Sequence, residues 1–370
     1  MIRVLIVAVL VTVATSATGQ SDPALRGRVM VEAWGTSDDY PTGTEVRAAR
    51  IGVTGAVAPT LSYKLEADFA GDRATIKDAY LQFAGWERAT VTVGNLKPAF
   101  SLENLIGLPK ATFLERASPN VFAFSETLGA AIATGGDGWS LGATLFGETP
   151  GTVVDGNEGI GLAARTTFAP VRDDSNLIHF GVSGFYKRLG DQALRVRQRP
   201  EARIFSTRLV DTGALDADAN ASFGVEFAAV QGPLSLQAEY IQSRVDLTAG
   251  DASFDGAYVF ASWFLTGERR PYTTRNGTFG NVKPAQAIDD GGRGAFELAL
   301  RYSTLDLDDG AVAGGVQDNV TLGLNWYATD AVRFTANWVY FDVEGATAVS
   351  PYGLGDHNGH ALGLRAQVVW

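Results

Sequence analysis

"ALGLRAQVVW", residues 361–370, ends the chain, and its reading decides the fold. Leu362, Leu364, Ala366, Val368 and Trp370 alternate with Gly363, Arg365 and Gln367. A period of two means an extended strand whose successive side chains point to opposite faces. The pattern recurs. "VRFTANWVY" (332–340) sets Val332, Phe334, Ala336, Trp338 and Tyr340 against Arg333, Thr335 and Asn337. "VTLGLNWY" (320–327) and "LSYKLEADF" (61–69) alternate in the same way, the latter with Lys64, Glu66 and Asp68 on its polar face. In a soluble sandwich the apolar face would be the core. In a membrane barrel it would meet lipid, and the polar face would line a lumen. Alternation alone does not separate the two.

Three features favour the barrel. The opening "MIRVLIVAVLVTVATSATGQ" has Arg3, an apolar run over 4–13, and Ala17-Thr18-Gly19 before Gln20. It reads as a secretory signal over 1–19, too short in its apolar run to span a bilayer, followed by one barrel domain over 20–370. The last strand ends on an aromatic residue, Trp370. Tight and long turns alternate, as on the two sides of an outer-membrane barrel. With 43 Gly, 7 Trp, 11 Tyr and 20 Phe, the composition fits short alternating strands better than membrane helices. The absence of Cys excludes disulfides and thiolate chemistry. Without Arg3 the chain carries 29 Lys+Arg against 41 Asp+Glu, so it is not a general nucleic-acid binder. Any basic site must be a local concentration.

Sixteen antiparallel strands are predicted, from near 27–35 to near 359–370, including 254–266, 294–307 and 318–327. Tight turns at "AVAP", "GWER", "GDG", "QGPL" and "ATDA" follow even-numbered strands and belong to the periplasmic side. By this parity the long segments 97–126 and 189–220 start outside, whereas 267–293 is a periplasmic connection of unusual length. Each mixes basic and apolar residues, so all three are predicted to fold into the lumen. In the first, Pro98 cannot continue a ladder. Phe100, Leu102, Leu105 and Phe113 are expected to pack the segment against the wall.

"VGNLKPAFSLENL…FLERA", "SYKLEADFAG…IKDAYLQF", "ASWFLTGERRPY…GTFGNVKP", "FELALRYSTLDL" and "TLGLNWY", in that order, resemble the phosphate-selective porins, the O/P group of outer-membrane porins. The resemblance runs from about residue 45 to the C-terminus. It implies a homotrimer of 16-stranded antiparallel barrels in the outer membrane of a Gram-negative bacterium, with inward-folded loops. It also implies passive diffusion of phosphate or similar small anions along an arginine ladder to a constriction, with lysines beyond. Lys64 matches the family's constriction lysine on the wall, Asp78 its lumenal aspartate, and Lys110 the lysine of its inserted loop. Two departures stand out. Leu108-Pro109 replaces the serines often found ahead of that lysine, and Arg47 and Arg50 are split by two alanines where adjacent basic residues are common, so one rung is expected to be missing.

A hydrated anion crossing a narrow pore needs substitute donors and positive potential at several moderate sites. Arginine offers a planar fork and lysine a compact charge. The constriction candidates are Lys64, Lys97, Lys110 and Arg116. Arg50 belongs to the ladder, and Arg165, Arg301, Arg333 and Arg365 face the lumen by alternation. Arg195, Arg197, Arg199, Arg203 and Arg208 would form an upper funnel, and Arg269, Arg270 and Lys283 a lower one. Glu66, Asp68, Glu239 and Glu297 share the lumenal face, so wall salt bridges compete with anion contacts. Glu103 and Glu115 are expected to shape the inserted loop. Arg47 and Lys77 fall on the lipid-facing parity. "GIGLAA" (159–164) reads as a strand with Ile160 and Leu162 outward rather than a dinucleotide loop. "DHNGH" (356–360) reads as a polar loop, and His179 stands alone on its strand. No metal, cofactor or catalytic set is expected. The alternatives to a phosphate channel are a weakly selective general diffusion porin and, from another class, a membrane hydrolase such as an outer-membrane lipase. Outer-membrane lipid is the other expected partner.

Overall fold

A computed structural model of the protein describes residues 22–37, 40–152, 156–346 and 354–370; the signal segment expected over 1–19 lies outside the described residues. Among the described residues, sixteen strands close into one antiparallel barrel. They are β1 Ala24–Thr36, β2 Gly43–Ala58, β3 Leu61–Asp68, β4 Thr75–Phe83, β5 Ala89–Leu96, β6 Thr127–Gly136, β7 Trp139–Phe146, β8 Ile160–Arg172, β9 Asn176–Arg188, β10 Ala217–Gln231, β11 Leu234–Leu247, β12 Gly250–Phe264, β13 Ala295–Asp309, β14 Val312–Tyr327, β15 Val332–Ala346 and β16 Gly355–Val369. Each pairs with its chain neighbour, and β1 closes on β16. Beyond the last rung, Gly27 and Trp370 exchange backbone hydrogen bonds of 3.0 Å.

Exposure settles the choice that alternation left open. Phe334 is 42% exposed and Arg333 3%; Leu364 is 51% exposed and Arg365 2%. The apolar face is the outside, and the buried face carries the charges. That inversion suits a wall with lipid outside, where every strand edge must be paired. "GIGLAA" runs into β8, with Ile160 and Leu162 outward.

The strands at 250–264, 295–309 and 312–327 extend past their predicted extracellular ends. There the alternation fades, because Asp306, Asp308 and Asp309 meet no lipid, yet the ladder continues to Val312. The hairpin at 310–311 is therefore tight on the extracellular side as well. "DHNGH" is likewise wall, not loop: Asp356–His360 lies in β16, and the His360 ring stacks on Trp338.

All three long segments enter the barrel. In 97–126, Phe100, Leu102 and Phe113 are buried, whereas Leu105 lines open space. Each large apolar side chain taken from lumenal water favours the inward position by about 1.5–3 kcal/mol. From 189–216, Ala202, Phe205 and Leu209 join Trp34, Phe341 and Leu114 in the main apolar cluster. From 267–293, Phe279 packs with Leu102 and Ile106 of the first segment, so segments from opposite sides of the membrane meet inside.

Candidate functional site

The strands β3 to β7 span 8–10 residues, whereas β8 to β16 span 13–16. Beside this low wall the inserted segments leave a water-accessible cleft of about 580 Å³ between the inner face of β1–β6 and residues 104–126. Its lining holds eight basic residues, Arg28, Arg47, Arg50, Lys64, Lys77, Lys97, Lys110 and Arg116, against Glu66, Asp78 and Glu126. The whole chain has a net charge of −11, so the cleft reverses the sign of the protein.

The wall strands supply one group of these cations, already paired. Arg50 reaches Glu66 at 2.9 Å and Asp68 at 2.8 Å; Arg28 reaches Glu66 at 3.3 Å; Lys64 reaches Asp78 at 2.5 Å. Four others, Lys77, Lys97, Lys110 and Arg116, have no carboxylate within 4.0 Å among the described residues. Lys97 donates to the carbonyl of Asn104 at 2.9 Å, and Arg116 makes a long contact of 3.4 Å to that of Glu103. Lys110 is exposed in the cleft. Partial desolvation by the surrounding cleft walls, and then the charge of Lys64 across the gap, lowers its affinity for a proton. For Lys97, burial and then the Arg116 charge bring the ammonium down to about 7.

Two residues assigned to lipid by parity are in fact in the cleft. On β2 the register steps from Ala48 opposite Met30 to Val46 opposite Val31, leaving Arg47 as an extra residue. On β4 it steps from Ala79 opposite Leu65 to Ile76 opposite Ala67, so Lys77 and Asp78 together face Glu66. Each bulge breaks the period of two and turns a basic side chain inward. Arg47 pairs with Glu115 of the inserted segment at 2.8 Å. Burial alone would raise the Glu115 carboxyl, but Arg47 holds it down to about 2. The rung expected to be missing is present as geometry, because Arg47 and Arg50 line one cleft despite the two alanines between them. Arg28 was also overlooked, though its parity with Met30 and Glu32 carried the signal; Glu126 carried none.

The inserted segment is held by its own polar groups. Ser101 is the non-glycine residue with positive φ (64°) among the described residues, and its hydroxyl caps the short helix Leu102–Ile106 through the amide of Asn104. The first amides of that helix, on Leu102 and Glu103, donate to the Glu239 carboxylate at 3.1 and 2.6 Å. Unpaired helix-end amides buried in the barrel find their acceptor there.

The remaining predicted residues lie outside the cleft. Arg165 is buried against Glu226 and donates to the carbonyls of Asn276 and Gly277 on the periplasmic segment. Arg301 pairs with Glu103 and Glu201 and stacks over Phe113. Arg365 pairs with Glu32 and donates to the carbonyl of Leu114 at 2.7 Å. Arg333 donates to the carbonyl of Ala111 at 2.9 Å. These four face inward, as alternation required, but onto packed protein. Arg270 is buried with its guanidinium 3.9 Å from the Phe279 ring centroid, so it lines no lower funnel. Lys283 is exposed and pairs with Asp330, and Arg269 donates to the carbonyl of Asp173. In the upper segment, Arg195 pairs with Asp211 and Arg203 with Glu45; Arg199 and Arg208 bond to backbone carbonyls, and Arg197 is exposed. His179 is not solitary: its ring is buried between Glu226 at 2.9 Å and the Tyr272 hydroxyl at 2.6 Å.

Comparison with known proteins agrees with this architecture. Residues 33–370 match the family described as phosphate-selective porin O and P. An uncharacterized protein of Caulobacter vibrioides is 32% identical over 342 residues, covering 88% of this chain and 68% of that protein. Porin O of Pseudomonas aeruginosa is 26% identical over 367 residues, covering 88% and 81%. Among solved structures, in-vitro folded OmpT of Vibrio cholerae in its trimer form superposes with a TM-score of 0.62 at 14% identity, covering 95% of this chain and 100% of that one. The anion-selective porin from Comamonas acidovorans gives 0.58 at 13% identity, covering 95% and 100%.

Proposed function

The chain belongs to the phosphate-selective porin O and P family, an outer-membrane channel of a Gram-negative bacterium, and from that premise we propose that it takes up phosphate or a related phosphorylated anion by passive diffusion. The observation that carries this reading is the excess of eight basic over three acidic residues lining the cleft, in a chain that is acidic overall. Low-dielectric walls of one sign concentrate the counter-ion at the entrance and speed its entry. Arg116, Lys97, Lys77 and Lys110, without carboxylate partners, offer several moderate sites instead of one deep trap, which is what conduction requires. Lys110 opposite Lys64 is the proposed constriction: two like charges facing each other across the gap are unfavourable when it is empty, and a passing anion relieves them. Porin O and the Comamonas porin, by their names, lend support. The trimer form of OmpT and the low wall β3–β7, whose outward side chains include Leu65, Ile76, Leu81, Val93, Leu128 and Leu145, support a homotrimer. Outer-membrane lipid would cover the taller wall.

A weakly selective general porin is favoured by one specific feature: Leu108-Pro109 brings no hydroxyl donor beside Lys110. Purified protein in a planar bilayer decides. The expected result is a reversal potential favouring anions and block of chloride current by phosphate, with Lys110→Glu weakening the block far more than it changes open-pore conductance. Cation preference sinks the proposal. Anion preference with block that survives both Lys110→Glu and Lys64→Glu leaves the general porin. Lipid hydrolysis without conductance would mean a hydrolase.

A further inference from the structure

The cleft contains a carboxylate where its cations converge. Glu66 sits on the inner face of β3, 8% exposed. Its Oε1 accepts from Arg28 Nη2 on β1 at 3.3 Å and from Arg50 Nη1 on β2 at 2.9 Å, and its Oε2 lies 3.8 Å from Lys64 Nζ. Three cations from three adjacent strands thus surround one carboxyl group on the cleft wall. The β4 bulge completes the arrangement by placing Asp78 against Lys64. Arg50 has a second partner in Asp68 and Lys64 in Asp78, but Arg28 has Glu66 alone among the described residues.

We propose that Glu66 is a tethered resident anion that sets the channel's affinity: it occupies the position at which Arg28, Arg50 and Lys64 would otherwise bind a permeating oxyanion. A carboxylate and a phosphate both present two oxygens on one centre to an arginine fork, so they compete for the same donors. A tethered competitor keeps the three cations oriented while no ion is bound, and it lets an arriving anion share the donors and leave again. Without it, three donor groups in a low-dielectric wall would form a deep site that holds the ion and slows its exit. On this view Glu66 lowers affinity to raise flux, and it determines how strongly the pore discriminates between oxyanions and chloride. The inference rests on the anion-channel reading above.

The test is block of chloride current by inorganic phosphate in planar bilayers, comparing the full-length wild type with Glu66→Gln and Glu66→Asp. Glu66→Gln keeps the shape and removes the charge; Glu66→Asp keeps the charge and draws it back by one methylene. The half-blocking phosphate concentration is expected to fall about fivefold or more in Glu66→Gln and by a smaller factor in Glu66→Asp, with longer single-channel closures at each phosphate concentration. If Glu66 only ties three strands together, resistance of the barrel to heat in detergent falls while the half-blocking concentration stays within twofold, and the proposal is overturned. Should Glu66→Gln fail to insert, Glu66→Asp is read alone, and unchanged block overturns the proposal equally. The wild-type reversal potential separates the two readings. Cation preference removes the channel reading and this inference with it, whereas anion preference with unaltered block in the variants removes the inference only.

Discussion

Arg50 and Arg301 both point into the barrel from the middle of a wall strand, and they live in different worlds. Arg50 lies on the low-walled side. It lines an open cleft, pairs with Asp68, and shares Glu66 with Arg28 and Lys64. Arg301 lies on the tall-walled side. It is 1% exposed, clamped between Glu103 and Glu201, which come from two different inserted segments. The first shares its partner at the edge of open space, where the proposed exchange with an ion would take place. The second is a rivet that fastens two plugs to the wall. The same residue type, at the same parity, does opposite jobs because lumen and water are not the same place in this barrel.

The largest expected difference between the two regions is in stability. Arg301→Met strands two buried carboxylates and is expected to cost about 3–5 kcal/mol, read as earlier loss of the heat-resistant barrel in detergent. Arg50→Met leaves Glu66 with Arg28 and Lys64 and leaves Asp68 with the amides of Ala49 and Ala70, so it should lower that transition less and instead shift the reversal potential toward cations. Equal losses of stability in the two variants would break the comparison.

Next in size is conductance. Deleting 272–288 removes Tyr272 from His179, and the carbonyls of Asn276 and Gly277 from Arg165. It also takes Phe279 from its cluster with Leu102 and Ile106. The tall-walled half should open, with single-channel conductance rising and phosphate block weakening as ions bypass the basic cleft. An unchanged conductance would mean that this half is closed by the wall and the extracellular segments alone.

The smallest effect expected is on pH dependence. With its ammonium near 7, Lys97 is charged below that value and loses its charge as pH rises through it. Anion preference should therefore decline modestly between pH 6 and 8. Replacing Lys97 by Met should flatten the profile at its high-pH level. A slope that persists in Lys97→Met would place the titrating group elsewhere.

How much of this was legible beforehand depended on the kind of information. The barrel was legible, because lipid on one side and polar groups on the other force a period of two that a reader of residues 332–340 or 361–370 can see. The inward segments were legible for a related reason: Phe100, Leu102 and Phe113 are too apolar for an exposed loop, and turn parity placed 267–293 on the side where turns are short. The bulges at Arg47 and Lys77 were not, since one extra residue in a strand leaves no mark on composition and reverses every parity assignment at its own position. The extension of the strands to Asp309 and Val312 escaped as well, because hydrogen bonding continues where the lipid that writes the alternation has ended.

By itself, then, the amino-acid sequence determined the strand number, the sidedness of the segments and the inward orientation of Arg165, Arg301, Arg333 and Arg365, all of which follow from local periodicity and from where apolar residues can be hidden from water. Only the tertiary structure decided which inward cations meet water. Glu32, Glu103, Glu201 and Glu226 reach their arginines across gaps of 61 to 333 residues in the chain. The cleft exists where the inserted segments happen to leave the low wall uncovered. Charge pairing over such separations is a property of packing in three dimensions, and no window of sequence contains it.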